Sequence, residues 1–442
     1  MKSILRACAL ALSCLSSAVP AADVQLIYPI SSPYYPVLIP LEQLSGLLGQ
    51  LPDGYLLARF DGQDWASIPH QFDKKDAEGR FLDPAGLTEA GQRLDVSDEL
   101  VFMAADLGQR APTPPDSAVF GLSIRDPRTA DTGWVYILRR DATALSPSDQ
   151  DYVSYDAERD AIVGQTYRIG FSRKIPFLFE SLQWKLKDGG YAPDLLDSMK
   201  IKHSGKLFHS FEFKRTHRDY TSRIGFVKDG PVRVIRHTNN TVRMVLGMQS
   251  PAIDIDNVHY NYSFIMDTIM DFPFRIGMFF GDVVGIPTFD FLVSDDRPPV
   301  YIYSRNQREG IEVTGVMDAR KQAFNGLDDK EIIIVTRDGM VVSDMSIQQG
   351  SPIQTRVNLT DDKTILDPPE EQPGLYGDVG YRMTGWERLG SGAQHIVFRA
   401  YMLQNAELSA SLDLLASSPS LNPSIVSSRF PDVPDDQGAP AP

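Results

Sequence analysis

Cysteine is nearly absent from this chain of 442 residues: the two present, Cys8 and Cys14, both fall within the first 21. That opening, MKSILRACALALSCLSSAVPA, joins a basic start (Lys2, Arg6) to a short apolar stretch and a small-residue end. It has the pattern of a secretory signal peptide, residues 1–21, cut after Ala21. Without it the chain is expected to hold no thiol, which excludes disulfide frameworks, cysteine nucleophiles and zinc–thiolate centres. Cys14 is a poor site for lipid attachment, because Ala11 stands where an aliphatic residue is usual. No later stretch approaches the roughly 20 apolar residues of a spanning helix. The expectation is an exported protein, periplasmic or secreted, with no transmembrane segment.

Catalytic signatures are missing as well. The seven histidines form no H-x-H or H-E-x-x-H pair, so a zinc hydrolase has no support. G-x-S-x-G, G-x-G-x-x-G and the P-loop are all absent, which removes the usual nucleophile elbow and nucleotide sites. Positive charge is scarce: Lys and Arg total 43 against 58 Asp and Glu, a net charge of −15, or −17 once Lys2 and Arg6 are removed. This balance argues against nucleic acid or anionic lipid as a general partner, while leaving room for local basic patches.

What the chain does contain is β-structure. Apolar runs such as YLLARFD, ELVFMAA, AVFGLSI and WVYILRR alternate with turn-rich pieces, and Gly (33) and Pro (31) are spread throughout. Residues 22–144 read as a small N-terminal β-sandwich and 151–416 as a larger antiparallel β domain. Residues 417–442 hold too few apolar side chains to fold and read as a disordered tail. LEQLSGLLG is the one helical-looking interruption. VHYNYSFIM predicts a single long strand, with Val258, Tyr260, Tyr262, Phe264 and Met266 on one face. KLFHSFEFKR puts Leu207, His209, Phe211 and Phe213 on one side. EIIIVTRDGMVVSDMSI reads as two strands turning at Asp338-Gly339.

Two stretches could carry chemistry. RLDVSDELVF gathers Asp95, Asp98 and Glu99, enough oxygen for part of a calcium site, although the EF-hand spacing is lacking. In the plainer reading, Asp95 and Ser97 hydrogen-bond turn backbone and the acids mark the solvated start of a strand. DIDN at 254–257 offers a second, poorer acidic cluster. DGPVRVIRHTNNTVRM, read as a strand, puts Val234 and Arg236 on one face and Arg233, Ile235 and His237 on the other, with Arg243 following. Guanidinium groups suit the carboxylates of uronic acids. Proton abstraction beside a uronate would need a base, for which His237, His259 and Tyr260 are candidates, with Arg233, Arg236, Arg243 and Asn261 binding substrate. In the plainer reading these are ordinary strand residues paired with local acids.

IPHQFDKKDAEGRF followed by DVSDELVFMAADLG, and then DGPVRVIR, resembles the opening and second-domain strands of exported β-sandwich proteins associated with polysaccharide breakdown. The likeness touches residues 68–108 and 229–236. It implies an all-β fold, a small sandwich followed by an antiparallel double-sheet supersandwich, and carries over no catalytic residue. Three functions stay open: a noncatalytic protein binding a glycan or another envelope component, a polysaccharide lyase or related carbohydrate-active enzyme, and an envelope scaffold. Trp65, Trp134, Trp184 and Trp386 could be glycan platforms or core.

Overall fold

The alternation of apolar and polar residues along the chain resolves into an all-β fold of five antiparallel sheets joined by loops and short helical turns. The computed structural model describes residues 35–125, 131–244, 247, 249–294, 296–365, 376–404 and 424–429. The expected signal peptide, the early VQLIYPI stretch and most of the tail lie outside the described residues.

The N-terminal part is a sandwich. Its three-stranded sheet runs Pro36–Pro40, Glu99–Met103, His70–Asp73. Its five-stranded sheet runs Ser424–Arg429, Ala118–Arg125, Thr132–Arg139, Tyr55–Phe60, Trp65–Ile68. Leu57, Leu100, Phe102, Leu122 and Ile137 are buried between them, and the same cluster takes in Ile333, Val342 and Leu403 from the larger domain. Sandwich and larger domain therefore share a core. The run LEQLSGL forms 3-10 turns over Leu41–Leu47.

In the larger domain a nine-stranded sheet begins Tyr220–Asp229, Val234–Val242, Ile253–His259, Ser263–Phe272, Gly392–Leu403. It continues through Met340–Ile347, Glu331–Val335, Tyr301–Tyr303 and Ile311–Glu312. One face packs on a five-stranded sheet, Phe211–Thr216, Leu196–Leu207, Phe280–Val293, Tyr376–Thr384, Gln354–Thr360. A four-stranded sheet from Ser154–Asp156 to Phe179–Trp184 contributes Ile169 and Phe179 to the same core. The opposite face lies partly under the N-terminal sandwich.

Three segments differ from their sequence pattern. VHYNYSFIM is two strands, because the chain turns at Tyr260–Tyr262: the Tyr260 N–H donates to the Ser263 carbonyl at 2.8 Å, and Asn261 Oδ1 accepts from Tyr262 N at 3.0 Å. Asparagine favours such turns, and Val258 and Phe264 consequently face opposite sides of the sheet. KLFHSFEFKR also turns, at Phe208 and His209, both in the left-handed backbone region. Within the tail read as disordered, Ser424–Arg429 pairs with Ala118–Arg125, whose outer edge offers open backbone groups. By contrast, Asp338-Gly339 does join the strands Glu331–Val335 and Met340–Ile347.

Candidate functional site

The residues singled out on DGPVRVIRHTNNTVRM are dispersed. Arg233 is buried under the N-terminal sandwich. Its Nε donates to Asp73 at 2.8 Å, Nη2 to Glu99 at 2.7 Å and Nη1 to the Tyr260 hydroxyl at 3.0 Å. Gln71 accepts the Arg233 backbone N–H, while Lys228 and Lys75 flank Asp73 and Glu99. This network ties the sandwich to the nine-stranded sheet. Arg236, on the other face, donates to both oxygens of Asp160 (3.0 and 2.7 Å) and to the Pro176 carbonyl (2.6 Å), above the Phe171 ring. Both guanidinium groups are enclosed by protein partners and face no open groove. Arg243 is exposed and pairs with Asp219 at 3.0 Å, and Asn261 occupies the turn.

The three candidate bases do not converge. His259 is fully buried, stacked on Phe264 with ring centroids 5.2 Å apart, and burial pushes its pKa down to about 3. Burial also raises the pKa of Tyr260, whose hydroxyl already accepts from Arg233. His237 lies on the opposite face from His259, half-buried, with Nδ1 2.7 Å from Asp256 and Nε2 2.9 Å from the Asn239 amide. Burial works to lower its pKa, but the hydrogen bond and charge of Asp256 outweigh this and raise it.

The acidic stretch 95–99 belongs to the same inter-domain network. Asp98 accepts from Asp95 N at 2.7 Å and Lys75 N at 3.1 Å and pairs with Lys74. Glu99 sits between Lys75 (3.0 Å) and Arg233 (2.7 Å). Asp95 receives the Ser97 N–H, as a turn aspartate does, just before the strand Glu99–Met103. Among the described residues no group of three or more His, Asp or Glu is arranged to hold a metal ion.

The most distinctive feature lies elsewhere. Between the nine-stranded and five-stranded sheets is a cavity of about 700 Å³, in the range of small-molecule sites. Ile255, Met266, Met270 and Phe398 form one wall, and Met199, Ile201, Phe289 and Met383 the other. Phe272, Ile276 and Trp386 also line it, as do Phe208, Phe274, Phe279 and Phe280 beside the Phe208–His209 turn. No Asp, Glu, Lys or Arg lines it among the described residues.

One polar couple stands on this apolar wall. His203 Nε2 lies 2.8 Å from the Tyr220 hydroxyl. Burial pushes the His203 pKa down to about 4 and the Tyr220 pKa well up, so both are neutral near pH 7. The other His203 ring nitrogen makes no hydrogen bond to a described residue. Thr268, half-buried on the facing sheet, adds a hydroxyl. Of the four tryptophans, Trp184 and Trp386 are buried, whereas Trp65 and Trp134 pack beside Tyr136 at 4.9 and 6.3 Å. A sequence signal for the cavity does exist: residues 264–280 hold Phe264, Met266, Met270, Phe272, Phe274, Met278, Phe279 and Phe280. That density of Met and Phe suits an adaptable apolar surface.

No known protein-family model matches the chain, and no curated protein does. Among solved structures, a protein in the glycosyl hydrolase family 38 from Enterococcus faecalis is similar over 90% of this chain and 46% of its own, at 10% identity and a TM-score of 0.44. An alpha-mannosidase from Enterococcus faecalis V583 is similar over 90% of this chain and 43% of its own, at 10% identity and a TM-score of 0.45. The chain thus spans less than half the length of these two proteins. Overlap this loose says nothing about activity.

Proposed function

We propose that this chain is a noncatalytic binding protein of the cell envelope whose ligand is an elongated, lipid-like apolar molecule held between the two sheets. The observation that carries the reading is the 700 Å³ cavity with its uncharged wall. Left empty, such a space would forfeit packing contacts along both of its walls. Filled with water, it would leave methionine and phenylalanine side chains hydrated. An apolar occupant relieves both costs.

Of the functions open from sequence, this is the binding of an envelope component, with lipid in place of glycan. The lyase reading receives less support, since its bases are separated and Arg233 and Arg236 are enclosed.

Titration of the purified protein with a neutral fluorescent apolar dye tests the proposal. Saturable binding at one site per chain, displaced by long-chain alcohols, is expected. Absence of saturable binding, or displacement by polysaccharide but not by alcohols, would overturn it.

A further inference from the structure

We propose that the tip of the hairpin formed by Leu196–Leu207 and Phe211–Thr216, with the neighbouring turn at residues 274–280, docks on an anionic lipid bilayer and sets the cavity mouth against it. This rests on the cavity being a lipid-binding site.

The first ground is apolar exposure in one place. Phe211 is 68% exposed, Met278 62% and Phe208 51%. The hairpin tip and the turn are fastened together: Phe208 N donates to the Phe279 carbonyl at 2.6 Å, and His209 Nε2 to that of Gly277 at 3.1 Å. Phe208 itself lines the cavity, as do Phe274, Phe279 and Phe280, so this exposed apolar end borders it. Phe208 and His209 hold φ values of 48° and 59°, a region that non-glycine residues rarely occupy. The two bonds to the 274–280 turn hold that conformation and keep the Phe208 ring at the rim.

Charge is the second ground. The whole chain carries −15, yet residues 202–223 hold six cations (Lys202, Lys206, Lys214, Arg215, Arg218, Arg223) against Glu212 and Asp219. Lys202 pairs with Asp378, Lys206 with Asp282, and Arg243 with Asp219. Exposed Lys214 and Arg275 have no ion-pair partner among the described residues. Cations beside exposed aromatic and methionine side chains suit an interface where acyl chains lie just beneath anionic headgroups. The rim then offers an apolar ligand a path from bilayer to cavity that avoids water.

Co-sedimentation of the purified protein with vesicles tests this, comparing phosphatidylglycerol mixed into phosphatidylcholine with phosphatidylcholine alone. Binding to the anionic vesicles is expected, weakened several-fold by 0.5 M salt as surface electrostatics are screened. F211S/M278S and K214E/R275E, none of which lines the cavity, should each reduce vesicle binding about tenfold and leave dye binding unchanged. Equal binding to both vesicles, binding to neither, or a dimer that these substitutions dissociate would overturn the docking surface. Dye binding without vesicle binding sinks the docking alone, whereas loss of dye binding in the wild type sinks the cavity reading.

Discussion

His237 and His259 stand on paired strands of one sheet and point to opposite faces of it: His237 lies opposite Asp256 in the register, and His259 opposite Val234. The sheet separates them, so one substrate group cannot meet both. His237 serves an outer polar strip with Asn239 and Asp254, and His259 an aromatic core with Phe171, Phe179 and Phe264.

Their substitutions should therefore separate. His259→Ala removes a buried ring and should cost about 2–5 kcal/mol in urea denaturation. His237→Ala should cost about 1–2 kcal/mol, the scale of its two lost hydrogen bonds. Wild-type protein mixed with uronate polymers should give no unsaturated product by ultraviolet absorbance. Product formation that both substitutions abolish would restore the lyase reading.

Arg233 concentrates the link between the two domains. Arg233→Met leaves buried Asp73 and Glu99 with Lys228 and Lys75 alone, and breaking such a network costs about 3 kcal/mol. Arg243→Ala, at an exposed pair, should stay within about 0.5 kcal/mol. Paired denaturation curves check the contrast, and equal effects would refute it.

Acid should destabilise the fold from just below neutrality. His259 titrates near 3 in the fold and His203 near 4, against about 6.5 when exposed, so the unfolded chain takes up protons first as pH falls. Asp73 and Glu99 are desolvated by burial, yet Arg233 and the flanking lysines hold both carboxyls below their ordinary range. Their stabilisation is present above the unfolded carboxylate pKa and is lost as pH drops through the lower folded value. His237 acts in the opposite sense: its raised pKa contributes stability at acid pH that is lost as pH rises through the folded value. Melting temperatures between pH 4.5 and 7 should rise with pH, and His259→Phe should flatten the slope.

Cavity variants give a direct check on the ligand. Thr268 is half-buried against the space between the sheets, so Thr268→Trp should project an indole into it and weaken dye binding about tenfold while the protein stays folded by circular dichroism. With His203 and Tyr220 neutral, a long-chain alcohol should displace the dye at lower concentration than the matching carboxylate at pH 7. His203→Phe should narrow that preference by roughly tenfold, the scale of one hydrogen bond. An unchanged preference would remove His203 from recognition.

The fold class was legible in the chain because strand alternation is local. YLLARFD, ELVFMAA and WVYILRR each show which side meets a core, and Asp338-Gly339 marks its own turn. Alternation misled where it ran unbroken through a turn, at Tyr260–Tyr262 and at Phe208-His209, because a hairpin between half-buried strands can preserve the period. Both turns altered the functional reading. One puts Val258 and Phe264 on opposite faces, and the other brings Phe208 to the cavity mouth.

Local sequence thus determined strand character, the want of thiols after the opening residues and the excess of negative charge. Where the charges are neutralised depended on contacts distant along the chain: Arg233 meets Asp73 and Arg236 meets Asp160 only after the sheets assemble. The cavity arises the same way. Each strand records that its Met and Phe side chains face inward, but the space left between two sheets depends on how their faces pack, which no single strand encodes.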